Sequence, residues 1–176
     1  MHTEVGRQQR RERRTVSGGV ATVLAGASVI VVDQLTKSWA LRHTVVPHHV
    51  VWTLWLELTF NPGAAFGLGR GATPVVESAV VVLIALLVLA ARRNARRGTR
   101  VEGLALGLLV GGALSNLGDR LFRHLPGHPG AVIDWIDAAQ VGRREYWPVF
   151  NVADACVVVG AILLAWRLSK RGQRPA

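Results

Sequence analysis

The sequence predicts an all-α polytopic membrane protein with four transmembrane helices. Three observations carry that prediction. Half of the 176 residues are hydrophobic. They gather into four segments, each close to the ~20 residues that a helix needs to cross ~30 Å of hydrocarbon. The net charge is +10, but the cations are clustered: of 21 Lys and Arg, five lie in residues 7–14, five in 92–100 and four in 167–174. Two longer, nearly neutral connections separate these clusters, so four crossings bring all three basic pieces to one face, and the positive-inside tendency makes that face cytoplasmic. Such a distribution argues against a soluble nucleic-acid module. With Cys156 as its single cysteine, the chain is no disulfide scaffold either.

The elements follow in order. Residues 1–15 form a basic cytoplasmic arm and transmembrane helix 1 spans 16–40, with no charge from Thr15 to Val32. A basic start and Ala25-x-Ala27 also fit a cleavable signal peptide. The apolar stretch continues past that point and further spans follow, which favours an uncleaved first helix. Residues 41–72 are an extracytoplasmic region. Within it, 51–60 alternate as a strand, with Trp52, Leu54, Leu56, Leu58 and Phe60 on one face, and Asn61-Pro62-Gly63 ends it in a turn. Helix 2, 73–91, carries only Glu77, and a basic cytoplasmic link covers 92–101. Helix 3, 102–122, is uncharged from Gly103 to Gly118, and Gly107-x-x-x-Gly111 reads as helix packing. Residues 123–147 form an extracytoplasmic loop with Pro126, Gly127, Pro129 and Gly130, then a short amphipathic helix around 133–142. Helix 4 takes 148–168 and a basic tail 169–176. Tyr146, Trp147 and Trp166 read as interface anchors.

Ionisable groups inside spans are costly, so their depth is informative. Asp33 lies 17 residues beyond Val16, or ~26 Å along a helix, and Lys37 follows at i+4 on the same face. Asn116, Asp119 and Arg120 share a face at the same end of helix 3. Asn151 and Asp154 fall in the first turns of helix 4, and Asp134 arrives from the loop before it. All of these converge on the outer end of the bundle. A transporter would spread polar groups through the depth; a ring at one end suits chemistry at the outer surface. The residues alone leave a second account open, in which Asp33–Lys37 and Asp119–Arg120 are structural pairs, Asp154 caps helix 4, and the protein is a membrane adaptor.

Five ordered stretches resolve the choice by resemblance: Val32-Asp33-Gln34-Leu35-Thr36-Lys37, Asn61-Pro62-Gly63-Ala64-Ala65-Phe66-Gly67, Gly111-Gly112-Ala113-Leu114-Ser115-Asn116-Leu117-Gly118-Asp119-Arg120, Val132-Ile133-Asp134-Trp135-Ile136 and Phe150-Asn151-Val152-Ala153-Asp154. Together they resemble the motifs of the lipoprotein signal peptidase (signal peptidase II) family. The resemblance implies a bacterial inner-membrane aspartic endopeptidase with four helices, both termini cytoplasmic, and a small extracytoplasmic β-rich cradle with a short helix over the site. Its implied substrates are diacylglyceryl-modified prolipoproteins, cut just before the lipidated cysteine. The catalytic pair maps to Asp134 and Asp154. Asn61, Gly63, Asn116, Arg120, Asn151 and Ala153 match site-shaping positions, Asp33 and Lys37 match the pair on the first span, and Asp119 precedes the matching arginine. Trp135 stands where Phe is common and Gly67 where Ser is common; neither removes a functional group.

An aspartic mechanism needs no cofactor and no metal. One carboxylate takes a proton from water while the other, protonated, polarises the scissile carbonyl, and two adjacent carboxyls separate their pKa values. Competing chemistries lack support: Pro126 and Gly127 break a helical pairing of His124 with His128, and His43, His48 and His49 read as a loop group. The expected partners are the lipidated precursors and membrane lipids, with no nucleic acid and a monomeric chain. Ala64, Ala65 and Phe66 are expected to line the opening for the acyl chains.

Overall fold

The structure is a computed structural model that describes residues 2–63, 85–93, 99–141, 144–145 and 147–172. Helix α1 runs His2–His43, strands β1 and β2 cover His48–Val51 and Leu54–Asn61, and residues 85–93 form helix α2. Helix α3 spans Arg100–Phe122, then come β3, Val132–Asp137, β4, Gln140–Val141, and β5, Arg144–Glu145. Helix α4, Val152–Gly172, closes the chain. Among the described residues three helical stretches are long and apolar enough to cross a membrane: Gly18–His43, Arg100–Phe122 and Val152–Lys170. Of the expected second span, 73–91, only 85–91 fall among the described residues, so four crossings are not established by the fold.

Each helix ends for a local reason. Helix α1 continues unbroken through the basic arm and stops at Thr44, whose buried Oγ1 and backbone N–H both donate to the Ala40 carbonyl at 2.9 Å. The β-branched Val45 and Val46 and then Pro47 prevent another turn. Helix α3 opens on a capping box: Thr99 Oγ1 accepts from Glu102 N and Glu102 Oε2 accepts from Thr99 N, which starts the helix at Arg100 rather than 102. Glu102 also meets Arg167 of α4 at 3.3 Å, tying the two helices together at the end away from the sheet.

Close backbone contact holds α1 on α3. A Cβ on Gly103 would lie 2.1 Å from the Gly18 carbonyl oxygen, and one on Gly107 would lie 2.6 Å from that of Thr22. Between membrane helices there is no hydrophobic driving force, so such contact supplies van der Waals attraction that a side chain would destroy. Gly107→Ala is expected to lower stability by about 1–3 kcal/mol, the usual range for overpacking, read as a fall in thermal midpoint in detergent. The large apolar side chains on the outer faces are bare, among them Val23, Leu24, Leu35 and Ile162. They are the surface that lipid covers.

The sheet is antiparallel in the order β1-β2-β3, beside a two-stranded β4-β5 ribbon. Two expectations are corrected here. The strand expected over 51–60 is a hairpin: β1 ends at Val51, Trp52 takes a left-handed φ of 49°, and β2 starts at Leu54. Apolar alternation persists through the turn, and no Gly or Pro marks it; the Trp52 carbonyl is held by a hydrogen bond with His49 Nε2. Where a short helix is expected around 133–142, the described residues form strands Val132–Asp137 and Gln140–Val141 instead. Val132, Ile133 and Ile136 are β-branched, and they zip onto Asn61, Phe60 and Leu56 of β2. Helix α4 likewise starts at Val152 rather than 148, because Phe150 is bridged to Ile136.

Candidate active site

Where α1, α3, α4 and the sheet meet, the polar residues of the chain collect. Lys37 and Asp33 are fully buried one turn apart on α1. The Lys37 ammonium donates to Asp33 Oδ2 at 2.7 Å, to Asp119 Oδ2 at 2.8 Å and to Asn116 Oδ1 at 2.7 Å, which occupies its three hydrogens. Asp33 also accepts from Ser115 Oγ at 2.7 Å and from the Ala153 backbone N–H at 2.9 Å. One carboxylate thereby joins α1, α3 and the start of α4.

Asn116 transmits that order. With its oxygen turned to Lys37, its amide nitrogen donates to Asp154 Oδ1 at 2.8 Å. Asn151 plays the matching part for Asp134, donating to Asp134 Oδ1 at 2.6 Å and contacting Asn116 Oδ1 at 3.2 Å. Asp134 and Asp154 are thus joined through two side-chain amides. On its other oxygen Asp134 accepts from Asn61 Nδ2 at 3.0 Å, and Asn61 Oδ1 accepts from Gly63 N. Strand pairing explains the convergence: Asn61 sits opposite Val132, so its side chain emerges on the face that also carries Asp134.

Arg120 fixes the rim. Its guanidinium donates to the carbonyls of Gly63 and Gly130, clamping the turn after Asn61 to the loop before β3. The Asp119–Arg120 pair of the alternative structural account does not form. Neighbours on a helix point ~100° apart, and Asp119 pairs instead with Lys37 and, at i+4, with Arg123 at 3.1 Å. Asp33–Lys37 pairs as expected. Asp154 does cap α4: its Oδ2 accepts from Asn151 N at 3.3 Å, and Asn151 Oδ1 accepts from Asp154 N at 2.9 Å. The capping bonds leave Asp154 Oδ1 to Asn116, so capping and a place in the site coexist.

Three members of the cluster were not singled out from sequence. Gln34 donates to Asp119 Oδ1 and to Ser115, and accepts from Arg123 Nη2 at 2.6 Å. Arg123 was signalled by its i+4 spacing from Asp119. Gln34 and Ser115 sit inside the quoted motifs but give no sign of partners 81 and 85 residues away. Ala64, Ala65 and Phe66, expected at an acyl-chain opening, lie outside the described residues. The His128 ring stacks on Phe60, with centroids 4.1 Å apart. Among the described residues no group of three or more His, Cys, Asp or Glu is placed to hold a metal.

The electrostatics suit a carboxyl pair that shares a proton. Lys37, Arg120 and Arg123 against Asp33 and Asp119 leave one surplus positive charge, which a single ionised member of the Asp134–Asp154 pair balances. Burial pushes the Asp134 carboxyl from 3.8 up to about 7, and the Asp154 charge adds to that; the Asn61 and Asn151 hydrogen bonds and Lys37 oppose it. If the pair works with one proton, activity falls as pH rises through about 7 and the last proton leaves. That alkaline limb in kcat/KM is expected to vanish in no variant that keeps both carboxyls. Beside Asp154 lies an apolar depression of about 270 Å³, lined by Trp147, Phe150, Ala155, Val158 and Val159.

Comparisons with known proteins point to one family. The family profile described as signal peptidase (SPase) II matches residues 8–170. A lipoprotein signal peptidase of Moorella thermoacetica is 37% identical over 161 residues, which make up 87% of this chain and 98% of that protein. Another, from Rhodococcus jostii, is 40% identical over 146 residues, 81% of this chain and 68% of that one. A bacterial membrane enzyme solved by the in meso method at 2.3 Å resolution is similar with a TM-score of 0.73 at 27% identity, over 86% of this chain and 89% of its own. With a profile that spans nearly its whole length and relatives of this identity, the chain belongs to the signal peptidase II family of aspartic peptidases.

Proposed function

We propose that this chain removes signal peptides from diacylglyceryl-modified prolipoproteins by cutting just before the lipidated cysteine, with Asp134 and Asp154 as the catalytic pair. The observation that carries the reading is the linkage of the buried Asp134 carboxyl to the half-buried Asp154 carboxyl through Asn151 and Asn116, next to an apolar depression that reaches Asp154. The ionised carboxylate takes a proton from water, whose oxygen attacks the scissile carbonyl while the protonated carboxyl hydrogen-bonds the carbonyl oxygen. The tetrahedral intermediate then breaks its C–N bond, and a proton passes to the departing amine. The roles of the two aspartates exchange through the cycle. Asn61, Asn116 and Asn151 hold the carboxylates with neutral donors, and Arg120 and Gly63 fix the rim on which substrate backbone rests.

The basic clusters favour an inner-membrane topology with both termini cytoplasmic, which puts the sheet and the pair at the outer face. The active unit in this reading is a monomer. The test compares diacylglyceryl-modified and unmodified precursor with the purified protein, reading product masses with and without a metal chelator. Cleavage before the cysteine of the lipidated form alone, unaffected by chelation, is expected. Equal cleavage of the unmodified precursor, or its loss with the chelator, overturns the reading.

A further inference from the structure

A second apolar cavity lies far from the carboxyl pair. It is a groove of about 400 Å³ between α1, α2 and α3, open on one side, and its lining includes Gly19, Gly26, Ile30, Gly111, Leu114 and Arg92. No residue of α4 or of the sheet contributes. The glycines explain why it exists. Gly26 and Gly111 bring α1 and α3 into backbone contact, a Cβ on Gly111 falling 2.6 Å from the Gly26 carbonyl oxygen, so no side chain fills the cleft alongside. From Gly19 to Ile30 the groove follows eleven residues of α1, or ~16 Å, which is about half the ~30 Å hydrocarbon thickness. It therefore has the reach of one leaflet.

Its single cation stands at one mouth. Arg92, in the last described turn of α2, lines the groove together with Gly19, where α1 enters the span, and among the described residues it makes no hydrogen bond or ion pair. An apolar slot one leaflet long with a guanidinium at the interface complements a molecule with a hydrocarbon chain and an anionic head. We propose that this groove binds one acyl chain of an anionic phospholipid, with Arg92 on its phosphate. The topology proposed above assigns the lipid to the inner leaflet; the binding itself does not depend on the peptidase reading. A volume of this size is at the lower end of the ~300–1,000 Å³ typical of ligand pockets. An arginine suits the phosphate because its fork offers two parallel donors.

Native mass spectrometry of the purified full chain, titrated with phosphatidylglycerol or with phosphatidylcholine of the same chains, tests the proposal. One phosphatidylglycerol is expected to bind about fivefold more tightly than phosphatidylcholine, the worth of one basic residue against an anionic head. Arg92→Gln is expected to bring the two lipids to parity. Ala27→Phe and Val23→Phe, at exposed positions that line the groove, are expected to remove the bound lipid of either kind. All three variants are expected to keep wild-type cleavage of lipidated precursor, which also reports that they fold. Unchanged lipid occupancy in both Phe variants, or a phosphatidylglycerol preference that survives Arg92→Gln, overturns the assignment. So does a loss of dimer mass in the Phe variants, which would make the groove a contact between copies.

Discussion

Lys37→Met is expected to be the most destabilising single substitution in the chain and to abolish measurable cleavage as well. Methionine keeps the volume but leaves two buried carboxylates, Asp33 and Asp119, without the ammonium between them. Breaking a buried ion pair by deleting one partner costs about 3–5 kcal/mol, because the remaining charge is stranded. Asp119 keeps Arg123, so most of that cost falls on Asp33. The loss of activity has a separate cause. Without the cation Asn116 Oδ1 keeps only the longer contact from Asn151 Nδ2 at 3.2 Å, so the amide is free to turn over and its donation to Asp154 is weakened. The double variant Asp33→Asn/Lys37→Met separates the two effects: its thermal midpoint is expected to recover by more than half, and its kcat is not. If the single variant melts like the wild type, the Lys37 cluster is not what holds α1 to α3 and α4.

Asp134→Asn and Asp154→Asn are each expected to reduce cleavage by at least about 10³-fold, since an amide can neither accept the proton of water nor return it to the leaving amine. Stability is expected to respond quite differently from activity. In the folded chain Asp134 holds its proton up to about 7, whereas an unfolded aspartate releases it near ~3.9. Between those limits the folded state binds more protons, so stability falls as pH rises from about 4 toward about 7. Asp134→Asn is expected to reduce that slope in a plot of thermal midpoint against pH while leaving the fold intact. An undiminished slope in the variant places the shifted carboxyl elsewhere.

The apolar segments and their terminal polar residues were legible because membrane physics constrains them strongly. A charge that is costly in hydrocarbon has to sit near an end, and i, i+3 and i+4 spacing then fixes a face, which brought Asp33 to Lys37 and set Asn116, Asp154 and Asn151 at one level. What failed was local and β. Alternation alone cannot distinguish one strand from a hairpin whose turn is made by Trp52 in a left-handed conformation without glycine. The stretch Val132-Ile133-Asp134-Trp135-Ile136-Asp137 declares itself a strand only when its partner β2 is known. The partner of Arg120 was left open between a backbone carbonyl, a lipid oxygen and Asp119, because one sequence does not place the Gly63 and Gly130 carbonyls beside it. Gln34 escaped notice because its hydrogen bonds reach α3, and one sequence carries no record of such distant partners.

The measurement that bears most directly on the account is cleavage of one diacylglyceryl-modified prolipoprotein by the wild type, Asp134→Asn and Asp154→Asn in the same lipid, with each protein's thermal midpoint recorded beside its rate. The carboxyl pair predicts cleavage before the lipidated cysteine by the wild type and none by either folded variant. Cleavage at a substantial fraction of the wild-type rate by either one contradicts it.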